Sequence, residues 1–233
     1  MIKLYQFSPA LGLPNPSSFC LKLETYLRMT GLPYEVASTD SLNDAPKGKM
    51  PYIRDGDRLM ADSNFIINYL EKTYDCSLDK SLSPTDKAIS LAMRRLIEEN
   101  LYWTIVYYRW FDDSNWPTIR KTFFGELPPI IRQVIPIIAR RNIQANLQGH
   151  GMGRHTPEEI VQIGREDLTA IADFLADKPY LMGEKPTTVD ASVYGLLANV
   201  VSVPLSSPFK DHADKYPNLA AYCQRIQEQY YQN

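Results

Sequence analysis

The first third of the chain alternates between strand-like and helix-like apolar patterns, and the rest reads as helical. Ile2 to Phe7 is a short β-prone run, followed by a Pro- and Gly-containing loop from Ser8 to Pro16. From Ser17 onward, Phe19, Leu23, Tyr26 and Leu27 fall at i, i+4, i+7 and i+8, the spacing of one helix face. Gly31 sits where a helix C-cap glycine is expected. Tyr34 to Ala37 reads as a second strand, and Met50 to Arg54 with Arg58 to Ala61 as a hairpin about Asp55-Gly56-Asp57. Asp62 and Ser63 then lead into a helix bearing Phe65, Ile66, Tyr69, Leu70 and Tyr74. The predicted order is β-α-β, a connector, then β-β-α.

Asp75 to Pro84 is polar and without period, which predicts a linker over 76–83 between a domain at 1–75 and an all-helical domain at 84–233. Ser83 and Pro84 form a cap and first helical position for a long helix reaching Phe111. A loop is expected around Asp112 to Pro117, then a helix over Pro129 to Leu147, bent or broken near Pro136. Gly149, Gly151 and Gly153 mark a flexible break. Thr156-Pro157-Glu158-Glu159 has capping-box form and predicts a helix towards Ala176. Further helices start near Thr187 and Pro217. The run after Asp190 is apolar all round, so that helix is expected at the centre of its domain.

Composition adds little except exclusions. The 233 residues are 44% hydrophobic and 22% charged, an ordinary globular balance. The net charge of −2 gives no electrostatic case for nucleic acid, and the longest apolar stretch is too short and broken to span a bilayer. Cys20, Cys76 and Cys223 make neither a metal-ligand pattern nor a disulfide framework, and the N-terminus has no signal-peptide form. A cytoplasmic setting and no metal are expected.

Four local features carry the chemistry. Ser17-Ser18-Phe19-Cys20 opens a helix after the first strand, so a hydroxyl sits among unpaired N–H groups at the positive end of the helix dipole. That environment favours an anion, and equally suits an ordinary N-cap serine. Lys49-Met50-Pro51 opens a strand, where proline cannot donate to the ladder; its peptide bond is compatible with either isomer. Asp62-Ser63 starts a helix able to hold a carboxylate or simply cap itself. Thr187 and Asp190 have Ncap–N3 spacing, a structural capping box with Asp in place of Glu or Gln.

In this order and spacing the features resemble the glutathione transferase family over nearly the whole chain. The resemblance implies a thioredoxin-like N-terminal domain followed by the helical C-terminal domain. It implies glutathione as co-substrate, with Ser17 at the catalytic position that meets the sulfur. Lys49 is implied to meet the glycyl carboxylate, Met50 and a cis Pro51 the cysteinyl unit, and Asp62 and Ser63 the γ-glutamyl end. Ser18 stands where the family has Pro, Asp62 where it has Glu or Gln, and the Ser8–Pro16 loop is longer than usual. Leu4-Tyr5-Gln6-Phe7, the Leu-Pro-Asn loop, Pro46-Lys47-Gly48-Lys49, Tyr102-Trp103 and Gly151-Met152-Gly153-Arg154-His155 resemble the failed-axon-connections and metaxin branch.

The implied activity is conjugation of glutathione to a small hydrophobic electrophile by a homodimer. Tyr102, Tyr107 and Arg109 are candidates for the electrophile pocket, with core and inter-domain packing as the alternative for the aromatics. Tyr5 is the runner-up for the thiol contact. Two other functions stay open: a non-catalytic interaction module of the same fold, and a glutathione-dependent thiol oxidoreductase acting through Cys20. With Ser17 in the first position of a CxxC-like spacing, that motif has no two-thiol cycle.

Overall fold

β1 (Ile2–Gln6) buries Ile2, Leu4 and Gln6 on one face while Lys3 is exposed, the period of two that a half-covered strand requires. In this computed structural model, which describes residues 1–38 and 44–232, β1 pairs in parallel with β2 (Tyr34–Ser38) and antiparallel with β3 (Tyr52–Asp55). Part of the expected connector between Ala37 and Met50 lies outside the described residues. β3 pairs with β4 (Arg58–Ala61) through the two-residue turn Gly56-Asp57, where Gly56 takes φ 57°. The sheet order is β2-β1-β3-β4.

The parallel pair needs a crossover, and α1 (Ser18–Thr30) supplies it. Its Leu23, Tyr26 and Leu27 pack with Ile2, Leu4 and Ile53 of the sheet, and with Ile66, Ile67 and Leu70 of α2 (Ser63–Tyr74). Gly31 ends α1 in the left-handed conformation, as the sequence predicts.

The rest is helical: α3 (Pro84–Arg95), α4 (Tyr102–Phe111), α5 (Trp116–Phe124), α6 (Ile131–His150), α7 (Pro157–Leu175), α8 (Thr188–Val201), α9 (Pro208–Ala213) and α10 (Pro217–Tyr231). A mixed α/β domain of thioredoxin-like topology is thus followed by an all-α domain. The long helix expected from Pro84 to Phe111 is continuous, but its middle, Leu96–Leu101, is π-helical. Two short helices, α5 and α9, occupy stretches that give no clear period. α6 runs unbroken through Pro136, and Gly149 lies inside it; Gly151, at φ 109°, ends it.

α8 is the central helix, with every residue from Val189 to Val200 buried. Its start is held by Asp190, which accepts from Thr187 N at 2.7 Å, Thr187 Oγ1 at 2.8 Å, Leu181 N at 2.8 Å and Tyr222 Oη at 2.8 Å. α8 also joins the two domains by lying directly against α1. A Cβ on Gly195 would fall 2.6 Å from Ser18 O and 3.0 Å from Lys22 N, so only glycine admits this approach. Nearby, buried Lys22 of α1 meets buried Glu98 of the π segment at 2.5 Å, and Ser192 of α8 donates to the same carboxylate at 2.7 Å. These contacts fix where the start of α1 stands relative to the helical domain.

Candidate functional site

The start of α1 is organised from the loop before it. Asn15 donates to Phe7 O at 2.6 Å and accepts from Ser17 N at 3.0 Å, tying the strand end to the helix start. Ser17 is the N-cap; its Oγ accepts from Cys20 N at 3.4 Å. A cap uses an oxygen lone pair and leaves the hydroxyl its proton to donate. The two sequence readings of Ser17, cap and thiol donor, are therefore compatible in one geometry.

A buried cluster of Cys20, Ala45, Met50, Tyr52 and Ala61 brings three of the sequence motifs side by side. Cys20 belongs to the first turn of α1, Met50 precedes the cis Pro51, and Ala61 precedes Asp62. The pairing of Tyr52 with Ala61 sets Pro51 and Asp62 at the same end of the β3–β4 hairpin. Asp62 caps α2, accepting from Asn64 N at 3.0 Å, and does so at φ 79°, a conformation that side chains other than glycine rarely adopt. Its other oxygen lies 3.9 Å from Lys47 Nζ. Ser63 is buried.

A cleft of about 440 Å³ opens beside this edge, between the start of α1 and the helical domain. Ser17, Ser18 and Lys49 line it from the first domain. Tyr102, Trp103 and Arg109 line it from α4, and Phe123, Phe124 and Ile143 from α5 and α6. The wall is mainly aromatic and aliphatic, and among the described residues no aspartate or glutamate lines it. The structure thus places Ser17, Lys49, Tyr102 and Arg109 together. Tyr107 is not among the lining residues; it packs on Tyr108 and Phe111, at ring distances of 5.4 and 6.0 Å. Helix geometry gives the reason: Tyr107 is five residues from Tyr102 and two from Arg109, so it projects from another side. Met50, Pro51, Asp62 and Ser63 do not line the cleft.

Arg109 donates from Nη1 to Pro16 O at 2.7 Å and from Nη2 to Asn199 Oδ1 at 2.6 Å. Burial pulls its pKa down to about 10, which still leaves it cationic at neutral pH. Tyr5 stacks on Tyr52 with ring centroids 4.3 Å apart and does not line the cleft. Cys20 is fully buried, and burial pushes its thiol up to about 12. His155 Nδ1 lies 3.3 Å from Glu159 Oε2 on the surface and is not among the residues lining the cleft.

Phe123 and Phe124 escape sequence reasoning because their helix gives no clear period; the adjacent aromatic pair is the one available signal. Asn15 is visible in the sequence only as part of the Leu-Pro-Asn loop, and Asn199 leaves no signal, since its bond to Arg109 spans 90 residues of chain. No group of three or more His, Cys, Asp or Glu side chains is arranged to hold a metal ion among the described residues. No helix there is long and apolar enough to cross a membrane.

Residues 18–115 match the glutathione S-transferase N-terminal domain, and residues 164–226 the glutathione S-transferase C-terminal domain. The isoprene-epoxide–glutathione S-transferase of Rhodococcus sp. (strain AD45) is 38% identical over 237 residues, covering 99% of each chain. The chain belongs to the glutathione S-transferase family. Within it the chain is related to the failed-axon-connections and metaxin proteins. Failed axon connections of Drosophila melanogaster is 31% identical over 98% of this chain, which spans 57% of that longer relative. Among solved structures, a beta-etherase from Sphingobium sp. strain SYK-6 shares the fold with a TM-score of 0.68 at 20% identity, covering 97% of this chain and 94% of its own.

Proposed function

We propose that this glutathione S-transferase family member binds glutathione along the Lys49, Met50–Pro51 and Asp62–Ser63 edge and activates its thiol at Ser17. The thiolate then attacks a small apolar electrophile held against Tyr102, Arg109 and the aromatic wall. The observation that carries this reading is the cleft itself: a helix N-terminus capped by a hydroxyl lines it, opposite an apolar wall that carries no carboxylate among the described residues. A hydrogen bond to a charged sulfur contributes about 1.5–3 kcal/mol, or roughly one to two pKa units, enough for a useful thiolate fraction near neutral pH. The 38% identical relative bears isoprene epoxide in its name, which supports a small epoxide as the electrophile class. In that reaction the sulfur forms a bond to a ring carbon, the C–O bond breaks, and the alkoxide takes up a proton.

The family resemblance supports a homodimer, and three free cysteines fit a reducing, cytoplasmic setting. Oxidoreductase chemistry through Cys20 finds no support, because a fully buried thiol with a raised pKa is a poor nucleophile. The test of binding is a thermal-shift titration with glutathione. At 100 times the dissociation constant the expected stabilisation is about 2.7 kcal/mol. An unmoved melting temperature at millimolar glutathione contradicts the reading.

A further inference from the structure

The fixed charge in the cleft wall has no counter-charge. Arg109 makes its two guanidinium contacts to neutral acceptors, Pro16 O and Asn199 Oδ1, and its buried Nε has no partner among the described residues. None of the ion pairs among the described residues includes it. On the side away from the cleft, Tyr108 of its own helix, Asn115 before α5, Asn199 of α8 and Ser207 before α9 surround a small cavity of about 20 Å³. None of these is acidic. On the cleft side the titratable or charged neighbours are Tyr102 and Lys49, and Lys49 is exposed.

Arg109 is half-buried, with its Nε sealed from solvent, and a cation largely withdrawn from water is ordinarily paired, because an unpaired one is costly to desolvate. Here it is kept unpaired one residue from the α1 N-cap: the carbonyl it grips belongs to Pro16, the residue bonded to Ser17. We propose that this uncompensated charge of Arg109 is part of thiol activation, holding the sulfur bound at Ser17 as the thiolate by its field. The proposal rests on the glutathione reading above. Ser17 supplies a hydrogen bond, the start of α1 a dipole, and Arg109 the full charge that balances the anion once the apolar electrophile has displaced water. An opposite charge within ~4–6 Å lowers the pKa of an acid by roughly 1–3 units. Arg109 also fixes the loop that carries Ser17, so its charge and its grip must be separated by experiment.

Asn199→Asp makes that separation. It leaves Arg109 and its contact to Pro16 in place and sets a carboxylate at the position now 2.6 Å from Nη2, cancelling the charge. Arg109→Gln removes the charge outright, and Arg109→Lys keeps it. The thiol of bound glutathione is titrated by its thiolate ultraviolet absorbance, with turnover of a small epoxide followed against pH. Asn199→Asp and Arg109→Gln should each raise the bound-thiol pKa by roughly one unit. Turnover near neutral pH should then fall about tenfold and recover in alkali, with glutathione affinity little changed. Arg109→Lys keeps the charge but loses the two-pronged grip, so it should titrate between the wild type and Arg109→Gln. If Asn199→Asp, folded and binding glutathione, titrates with the wild type, the charge has no such role and the proposal fails, whatever becomes of Arg109→Gln. Absence of glutathione binding in the wild type is a different result: it overturns the glutathione reading, and this inference with it.

Discussion

Ser17 concentrates the chemistry of the site in one hydroxyl. Its oxygen caps α1 through Cys20 N, and the residue lines a cleft that carries no carboxylate among the described residues. Ser17→Ala should therefore raise the pKa of the bound thiol and lower turnover near neutral pH roughly ten- to a hundredfold. Affinity should change less, because in the proposed binding mode the rest of the tripeptide is held by Lys49, Met50, Asp62 and Ser63. Coincident pH–rate profiles for Ser17→Ala and the wild type would leave Ser17 a helix cap alone. Residues whose signal is local were legible from sequence: Ser17 follows a strand and opens a helix, and Lys49-Met50-Pro51 opens a strand. Arg109 was legible as a candidate but not in its connections, because its partners at Pro16 and Asn199 lie 93 and 90 residues away in the chain.

At the level of elements, the relation of α1 to α8 sets the cleft, and Gly195 sets that relation. In Gly195→Ala the new methyl group meets backbone at Ser18 O, which cannot rotate away. A loss of about 1–3 kcal/mol is expected, read from the denaturant midpoint. An unchanged midpoint would show that the helices can part without cost.

The π segment makes a second, pH-sensitive joint. Asn100 donates to both oxygens of buried Asp167 on α7, at 2.9 and 3.1 Å, yet burial raises that carboxyl to about 6. The unfolded value is about 3.9, so the folded state holds this proton more tightly. Its contribution to stability is complete below about pH 4 and is lost as pH rises through about 6. Asp167→Asn should stabilise the protein at pH 7 by up to about 3 kcal/mol and leave it near the wild type at pH 4. Equal melting shifts at the two pH values would refute this. Elements with capping signals were legible, as the Thr156 and Thr187 boxes show. α5 and α9 were not, being short and begun by Pro117 and Pro208, residues that mark loops as readily as first turns. The π segment gives no pattern distinct from an α-helix, since its extra residue appears only in the hydrogen bonding.

For the whole molecule, the cleft exists because two domains share it. The first contributes Phe7, the α1 start and Lys49; the second contributes the wall of α4, α5 and α6. The switch from strand-and-helix to helical patterning announced this division, whereas the cleft depends on contacts between segments far apart in sequence. The electrophile class is the part of the reading that local pattern cannot supply, because the aromatic wall that bears on it is assembled only on folding. The most direct measurement is incubation of the wild-type protein with glutathione and a small alkene epoxide, followed by mass spectrometry of the products. The account predicts a glutathione thioether carrying the opened epoxide as a neighbouring hydroxyl, formed in proportion to enzyme and well above the uncatalysed rate. Glutathione bound by the protein but no thioether above the uncatalysed background would contradict it and favour the non-catalytic module.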